Sequence, residues 1–323
     1  MIAAAGTGGH VYPGLAVGEA LVHRGVPRDH VGFVGGDRLE ADVYPTRGFR
    51  FMDVELVGLQ RRMTLDNLRI PAVVLRARRD IARMIGELEV AVVLGMGGYV
   101  TIPAGLAARS RRVPFFNAEQ NASAGLANRV SARWAEATFV SFPDTAGLPR
   151  GRWVGNPVRE PFWAFDRDAL RAEGLVRYGL EDELPTLGVF GGSLGAGAIN
   201  DAIAALVQHW SGGRTQVVHL TGEAHHDTFS RRSAPESVVW RRVAFEERMD
   251  LFFAVCDLVV SRAGGAVAEL TATGTPSVLI PGRFGSGGHQ DENARFLASS
   301  GAAVVIDETD VAGLAEVIDD LLG

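Results

Sequence analysis

Twice in this chain a short apolar run breaks straight into a glycine cluster and then into a helical pattern. Residues 2–5 lead into Gly6-Thr7-Gly8-Gly9-His10, and residues 186–190 lead into Gly191-Gly192-Ser193-Leu194-Gly195-Ala196-Gly197. A strand that turns into a helix through glycines brings backbone N–H groups close to whatever binds there. The helix N-terminus adds a positive dipole end suited to an anion or a hydroxyl-rich ligand. One such junction is often only a tight connection. Two of them, each opening its own half of the chain, predict an α/β protein of two Rossmann-like domains with parallel sheets facing across a cleft. His10 stands at the mouth of the first loop, where an imidazole titrates near neutrality.

The intervening sequence supports that architecture, because apolar runs alternate with helical periodicity throughout. In the first half, strands are predicted over 2–5, 31–34, 51–54, 90–94, 113–117 and 138–140, and helices over 14–24, 65–87, 102–110 and 122–134. In the second half, strands are predicted over 187–190, 216–221, 238–241, 258–261, 277–280 and 303–306. The helices between them are predicted over 198–210, 248–255, 266–273, 289–300 and 311–322. The pattern pauses at Gly155-Asn156-Pro157, which divides the 323 residues into domains 1–157 and 158–323, each long enough for its own core. A net charge of −6 excludes general nucleic-acid binding. The single cysteine, Cys256, excludes an internal disulfide framework and fits a reducing compartment. The first apolar run is too short for a secretion signal, and no stretch approaches the roughly 20 apolar residues that span a bilayer.

Several motifs carry chemistry. Gly95-Met96-Gly97-Gly98-Tyr99 is a third glycine junction, placed at the carboxyl edge of the first sheet where open α/β folds bind ligands. Glu119-Gln120-Asn121 also follows a strand and offers polar groups to sugar hydroxyls. In the second half, Ser261-Arg262-Ala263-Gly264-Gly265 ends a strand and opens a helix bearing Glu269. Its amides and helix dipole suit a diphosphate, and the carboxylate suits a ribose diol. His289-Gln290 is expected at the same edge. No metal or cofactor is expected. Asp166-Arg167-Asp168 precedes a helix and reads as its N-cap, His225-His226 lacks a third ligand, and Ser193 is not in a nucleophile-elbow pattern. Over 61–83, Ile70, Val73, Val74, Ala77, Ile81 and Met84 recur at helical spacing among Arg61, Arg62, Arg69, Arg76, Arg78, Arg79 and Arg83. That pattern is either a core-facing helix with a solvated basic side or an apolar stripe lying on an anionic lipid surface.

Taken in order from Ile2 to Leu322, the motifs GTGGHVYPGLAV, GMGGYV, EQN with AGLANR, GNPVR, GGS with GA and IN, SRAG with AEL, and HQ with NA resemble the MurG family. These bacterial glycosyltransferases add N-acetylglucosamine to undecaprenyl-pyrophosphoryl-MurNAc-pentapeptide in peptidoglycan synthesis. The resemblance implies a GT-B type fold, an acceptor lipid on the N-terminal half and UDP-GlcNAc mainly on the C-terminal half. It also implies inversion to a β1→4 link and peripheral attachment at the cytoplasmic face of the cell membrane. Carried over by position, the donor contacts are Thr7, Gly8, Gly9, Asn121, Arg159, Ser193, Glu269 and Gln290, with Gly264 and Gly265 in the diphosphate loop. His10 becomes the candidate base for the acceptor hydroxyl, Glu119 the second candidate, and the 61–83 region is drawn towards membrane contact. The chain departs from the family at five places, one of them an end at Gly323 before the last helices that the resemblance implies. Ala118 stands where the family has histidine, Leu194 where it has glutamine, and Glu246 where it has an apolar residue beside the base; the 262–269 segment is one residue shorter. The departures keep two alternatives open: another GT-B glycolipid transferase, and a UDP-sugar-binding protein impaired in catalysis.

Overall fold

The computed structural model describes residues 1–56, 70–145, 147–148, 150–192, 196–282 and 288–322. They form two compact units, Met1–Glu160 and Pro161–Gly323. The 157/158 division expected from the glycine-proline pause stands three residues before this one.

Unit 1 contains strands β1 (Ile2–Ala3), β2 (Gly32–Gly35), β3 (Arg50–Asp53), β4 (Val93–Gly95), β5 (Phe115–Glu119), β6 (Ala137–Val140) and β7 (Gly151–Trp153). Its helices are α1 (Gly8–His23), α2 (Leu39–Thr46), α3 (Ile70–Glu87), α4 (Thr101–Arg111) and α5 (Leu126–Ser131). The strands pair in the order β3-β2-β1-β4-β5-β6-β7, every pair parallel. Chain direction along the sheet reverses between β1 and β4, so right-handed crossovers place helices on both faces. The pleat shows the same division. Ile2 and Ala4 join a cluster with Val11, Leu15, Phe33 and Tyr44, while Ala3 and Ala5 join one with Ala77, Ile81, Ala104 and Phe115.

Unit 2 repeats the plan with β8 (Thr186–Phe190), β9 (Thr215–Leu220), β10 (Val238–Val243), β11 (Leu258–Ser261), β12 (Ser277–Leu279) and β13 (Ala303–Val305). These pair as β10-β9-β8-β11-β12-β13, again all parallel, with the reversal between β8 and β11. Its helices are α6 (Arg167–Tyr178), α7 (Gly197–Gln208), α8 (Glu223–Ser230), α9 (Met249–Val255), α10 (Ala266–Thr273), α11 (His289–Ser299) and α12 (Leu314–Leu322). Both units therefore follow the Rossmann strand order, and the expected α/β class with two Rossmann-like units holds. Asp166 caps α6 through a bond from the Ala169 amide at 3.1 Å, in keeping with its reading as an N-cap.

Four local differences from the expected elements have physical causes. Helix α1 starts at Gly8, not at residue 14. Gly6 alone of the first three glycines takes a positive φ, and the His10 and Val11 amides already bond to the Thr7 carbonyl. His10 thus belongs to the first helical turn, not to a loop mouth. Helix α5 is shorter than 122–134 because residues 121–125 are drawn onto the Glu119 carboxylate. Three elements absent from the expectation, α2, β7 and α8, are short, and β7 is an exposed edge strand with no alternating pattern to betray it. The fourth concerns α3. Val73, Ala77, Ile81 and Ile85 are buried, and the helix packs on α4, so its apolar stripe faces the core. The membrane-lying stripe is thereby corrected; Leu75 and the basic side, with Arg76, Arg79 and Arg83, are among the residues left at the surface. Arg61, Arg62 and Arg69 lie outside the described residues.

Candidate active site

At the carboxyl edge of the first sheet, the loops after β1 and β4 flank the point of reversal. The Gly6 amide donates to Glu40 Oε2 at 3.1 Å and the Gly36 amide to Glu40 Oε1 at 3.0 Å. Glu40, buried on α2, thus straps the first glycine junction to the end of β2. The loop after β4 closes on the same junction. Gly97 and Gly98 have φ of +96° and +76°, and a Cβ on Gly98 would stand 2.5 Å from the Ala5 carbonyl oxygen. A Cβ on Gly97 would meet His10 Nε2 at 2.8 Å. Only glycine lets these two loops lie against each other, and the His10 ring sits where they meet.

Thr7 Oγ1 lies 3.3 Å from His10 Nδ1. With the Nδ1 proton given to Thr7, Nε2 is the basic nitrogen of the ring. Thr7 therefore acts on the imidazole, a role additional to the donor contact expected of it. The structure brings Thr7, Gly8, Gly9 and His10 into one helical turn against Gly97.

Glu119, at the end of β5, is buried and saturated. Its Oε1 accepts from the Asn121 amide and from Asn121 Nδ2, both at 3.0 Å, and its Oε2 accepts from the Gly125 amide and Asn128 Nδ2, both at 2.9 Å. A carboxylate holding four donors is poorly placed to receive a substrate proton. Its place as second candidate base is corrected to one of shaping the loop that presents Asn121. Ala118 turns its methyl into the apolar cluster of Val11, Leu15 and Met96, so no titratable group occupies the position where a histidine was anticipated. Arg159, half-buried in the joining segment, holds its guanidinium 5.5 Å from the Tyr12 ring centroid.

In unit 2, Gly191 and Gly192 follow β8, and Ser193, Leu194 and Gly195 lie outside the described residues. After β11, Gly264 and Gly265 lead into α10, with Glu269 half-buried in its first turn. Gln290, in the first turn of α11, accepts from the Gly282 amide at 2.8 Å, and its Nε2 would lie 4.0 Å from a Cβ on Gly264. The expected diphosphate loop and Gln290 are thus neighbours. Two fastening groups escaped sequence reasoning. Arg262 pairs with Glu308 and donates to the Ile280 carbonyl, tying the β11 loop to the chain beyond β12 and β13. Glu246 is buried within unit 2. It accepts from Arg177 Nε and Nη2, from the Tyr178 hydroxyl and from the Arg248 amide, all at 2.8 Å. Burial works to raise its carboxyl, and these hydrogen bonds, led by Arg177, overcome that and leave it below the ordinary carboxylate range.

Among the described residues no three His, Cys, Asp or Glu side chains gather as a metal site, and no helix is long and apolar enough to cross a membrane. Two successive Rossmann-order units with glycine-opened helices at both points of reversal form a GT-B type fold. The comparisons agree. The glycosyltransferase family 28 N-terminal domain matches residues 1–140 and the family 28 C-terminal domain matches residues 186–323, and the chain belongs to that family. It is 39% identical to the UDP-N-acetylglucosamine--N-acetylmuramyl-(pentapeptide) pyrophosphoryl-undecaprenol N-acetylglucosamine transferase of Mycolicibacterium vanbaalenii, spanning all of this chain and 81% of that protein. To the protein of the same name from Nocardia farcinica it is 38% identical, over all of this chain and 86% of the other. The crystal structure of MurG from Acinetobacter baumannii superposes with a TM-score of 0.78 at 26% identity, covering 100% of this chain and 90% of that one.

Proposed function

We infer that this protein transfers N-acetylglucosamine from UDP-GlcNAc to the MurNAc 4-hydroxyl of undecaprenyl-pyrophosphoryl-MurNAc-pentapeptide, with inversion. The observation that carries this is the identity to transferases of that name over the whole chain, both halves included. The anomeric C1–O bond to UDP breaks as the C1–O4 bond forms. The hydroxyl proton passes to His10 Nε2, and the bond electrons leave with the UDP diphosphate. His10 is the proposed base because Thr7 fixes its ring and because Glu119 and Ala118 supply none. The donor is assigned to Thr7, Gly8, Gly9, Asn121, Arg159, Ser193, Gly264, Gly265, Glu269 and Gln290. Glu269 takes the ribose diol, while the glycine amides and Arg159 oppose the charge developing on the leaving group.

We assign the protein a peripheral place on the cytoplasmic face of the membrane, where its lipid acceptor is held. With the α3 stripe buried, attachment rests on charge. Arg76, Arg79 and Arg83 on α3 are exposed, as are Arg109, Arg111 and Arg112 at the end of α4, the helix against which α3 packs. A transfer assay with labelled UDP-GlcNAc decides the acceptor: label is expected on the MurNAc lipid and not on diacylglycerol or free sugars. Label on diacylglycerol points to another glycolipid transferase, and UDP binding without transfer points to an impaired binder. Sedimentation with anionic vesicles that is unaffected by Arg76, Arg79 and Arg83→Gln would remove the membrane assignment from this face.

A further inference from the structure

Helix α1 does more than open at the first glycine junction, because it also carries the segment that bears Arg159. The ring of Tyr12 packs on the cluster of Val11, Leu15 and Phe33 and presents itself to the Arg159 guanidinium at 5.5 Å. Arg159 is therefore held against α1 at the Tyr12 ring. The same helix begins with Thr7, Gly8, Gly9 and His10. One stiff element thus holds both the turn that carries the proposed base and a long cationic side chain that would otherwise sample many rotamers.

We propose that Tyr12 is a positioning residue for Arg159, holding its guanidinium in place for the anionic part of the donor. This rests on the assignment of Arg159 to UDP-GlcNAc. The Tyr12 ring does not need to touch the donor. Tyr12 acts through the quadrupole of its ring, so a phenyl ring serves as well and an aliphatic side chain does not.

The test is a kinetic double-mutant cycle on the full chain, with UDP-GlcNAc varied and UDP binding measured by calorimetry. Tyr12→Leu should raise the KM for UDP-GlcNAc and weaken UDP binding by about 3–10-fold, and because Arg159 also opposes the leaving-group charge, kcat at saturating donor should fall by up to about the same factor. Tyr12→Phe should retain the parent values. Tyr12→Leu should add nothing to the loss in an Arg159→Met background. Equal losses from Tyr12→Leu with and without Arg159 would overturn the inference, as would a Tyr12→Phe variant no better than Tyr12→Leu. Parent-like KM and UDP binding in Arg159→Met would be a different failure, removing Arg159 itself from the donor site.

Discussion

Replacing Glu119 by glutamine separates a loop-shaping carboxylate from a catalytic one. The substitution keeps size and shape but turns one acceptor oxygen into an NH2 donor. Whichever way the amide lies, its NH2 faces two donors: the Asn121 amide and Asn121 Nδ2 on one side, or the Gly125 amide and Asn128 Nδ2 on the other. Asn128 is buried and Asn121 only half-buried, so the NH2 will turn towards Asn121, where water can take over part of the loss. Two charge-assisted bonds of about 1.5–3 kcal/mol each, discounted for that water, give a cost of roughly 3 kcal/mol. For a unit of this size that corresponds to about 6–12 °C in the midpoint of thermal unfolding. The assay is unfolding followed calorimetrically, so that the two units are seen separately, together with the pH profile of transfer measured well below the midpoint. Lower stability with an unaltered profile is expected. Glu119→Gln with parental stability, lost turnover and a missing ionisation would restore Glu119 as the base and refute the reasoning.

Other outcomes follow from the second unit. Glu269→Ala should weaken UDP affinity by at least about tenfold in calorimetry, since charge-assisted bonds to a ribose diol are lost; an unchanged affinity removes Glu269 from the site. Glu246→Leu strands the buried Tyr178 hydroxyl and should cost about 2 kcal/mol, much of it recovered in Glu246→Leu/Tyr178→Phe, and a double variant no more stable than the single one would contradict the clamp. His219 is buried against Trp240, and burial depresses its pKa to about 3. As pH falls from about 6.5 the unfolded chain gains a proton that the folded chain refuses, so stability is lost at roughly 1.4 kcal/mol per pH unit down to about pH 3. In urea unfolding, His219→Gln should show a shallower slope by about one proton, and equal slopes would exclude His219 as the source.

The parts of this fold that were legible in sequence are those with a repeating physical cause. Strands such as Leu258–Ser261, buried on both faces, read as continuous apolar runs, and α10 was read to its bounds from a glycine junction before it and Gly274 after it. The glycine junctions and the Asp166 cap were visible for the same reason, because each depends on neighbours in the chain. What escaped was held by distant partners. The Glu40 strap joins groups 34 residues apart, Arg262 reaches Glu308 across 46, and Glu246 reaches Arg177 across 69; no local pattern records such pairings. Glu119 shows the converse error. A carboxylate at a strand end in a polar triplet looks like chemistry, and only the fold shows that its oxygens are already occupied. For α3 the helical period was right, but periodicity cannot tell whether an apolar stripe meets a sheet or a lipid surface.

The most direct test of the central claim is the pH dependence of single-turnover transfer to the MurNAc lipid by the parent chain and by His10→Ala. A base held by Thr7 over the Gly97 loop should give a parent rate that falls on the acid side with one imidazole-type ionisation. His10→Ala should lose about 10²–10⁴-fold in rate, keep its UDP affinity and show no such ionisation. A His10→Ala protein that transfers at near-parental rate with the same acid limb would contradict the account and place the base on another group.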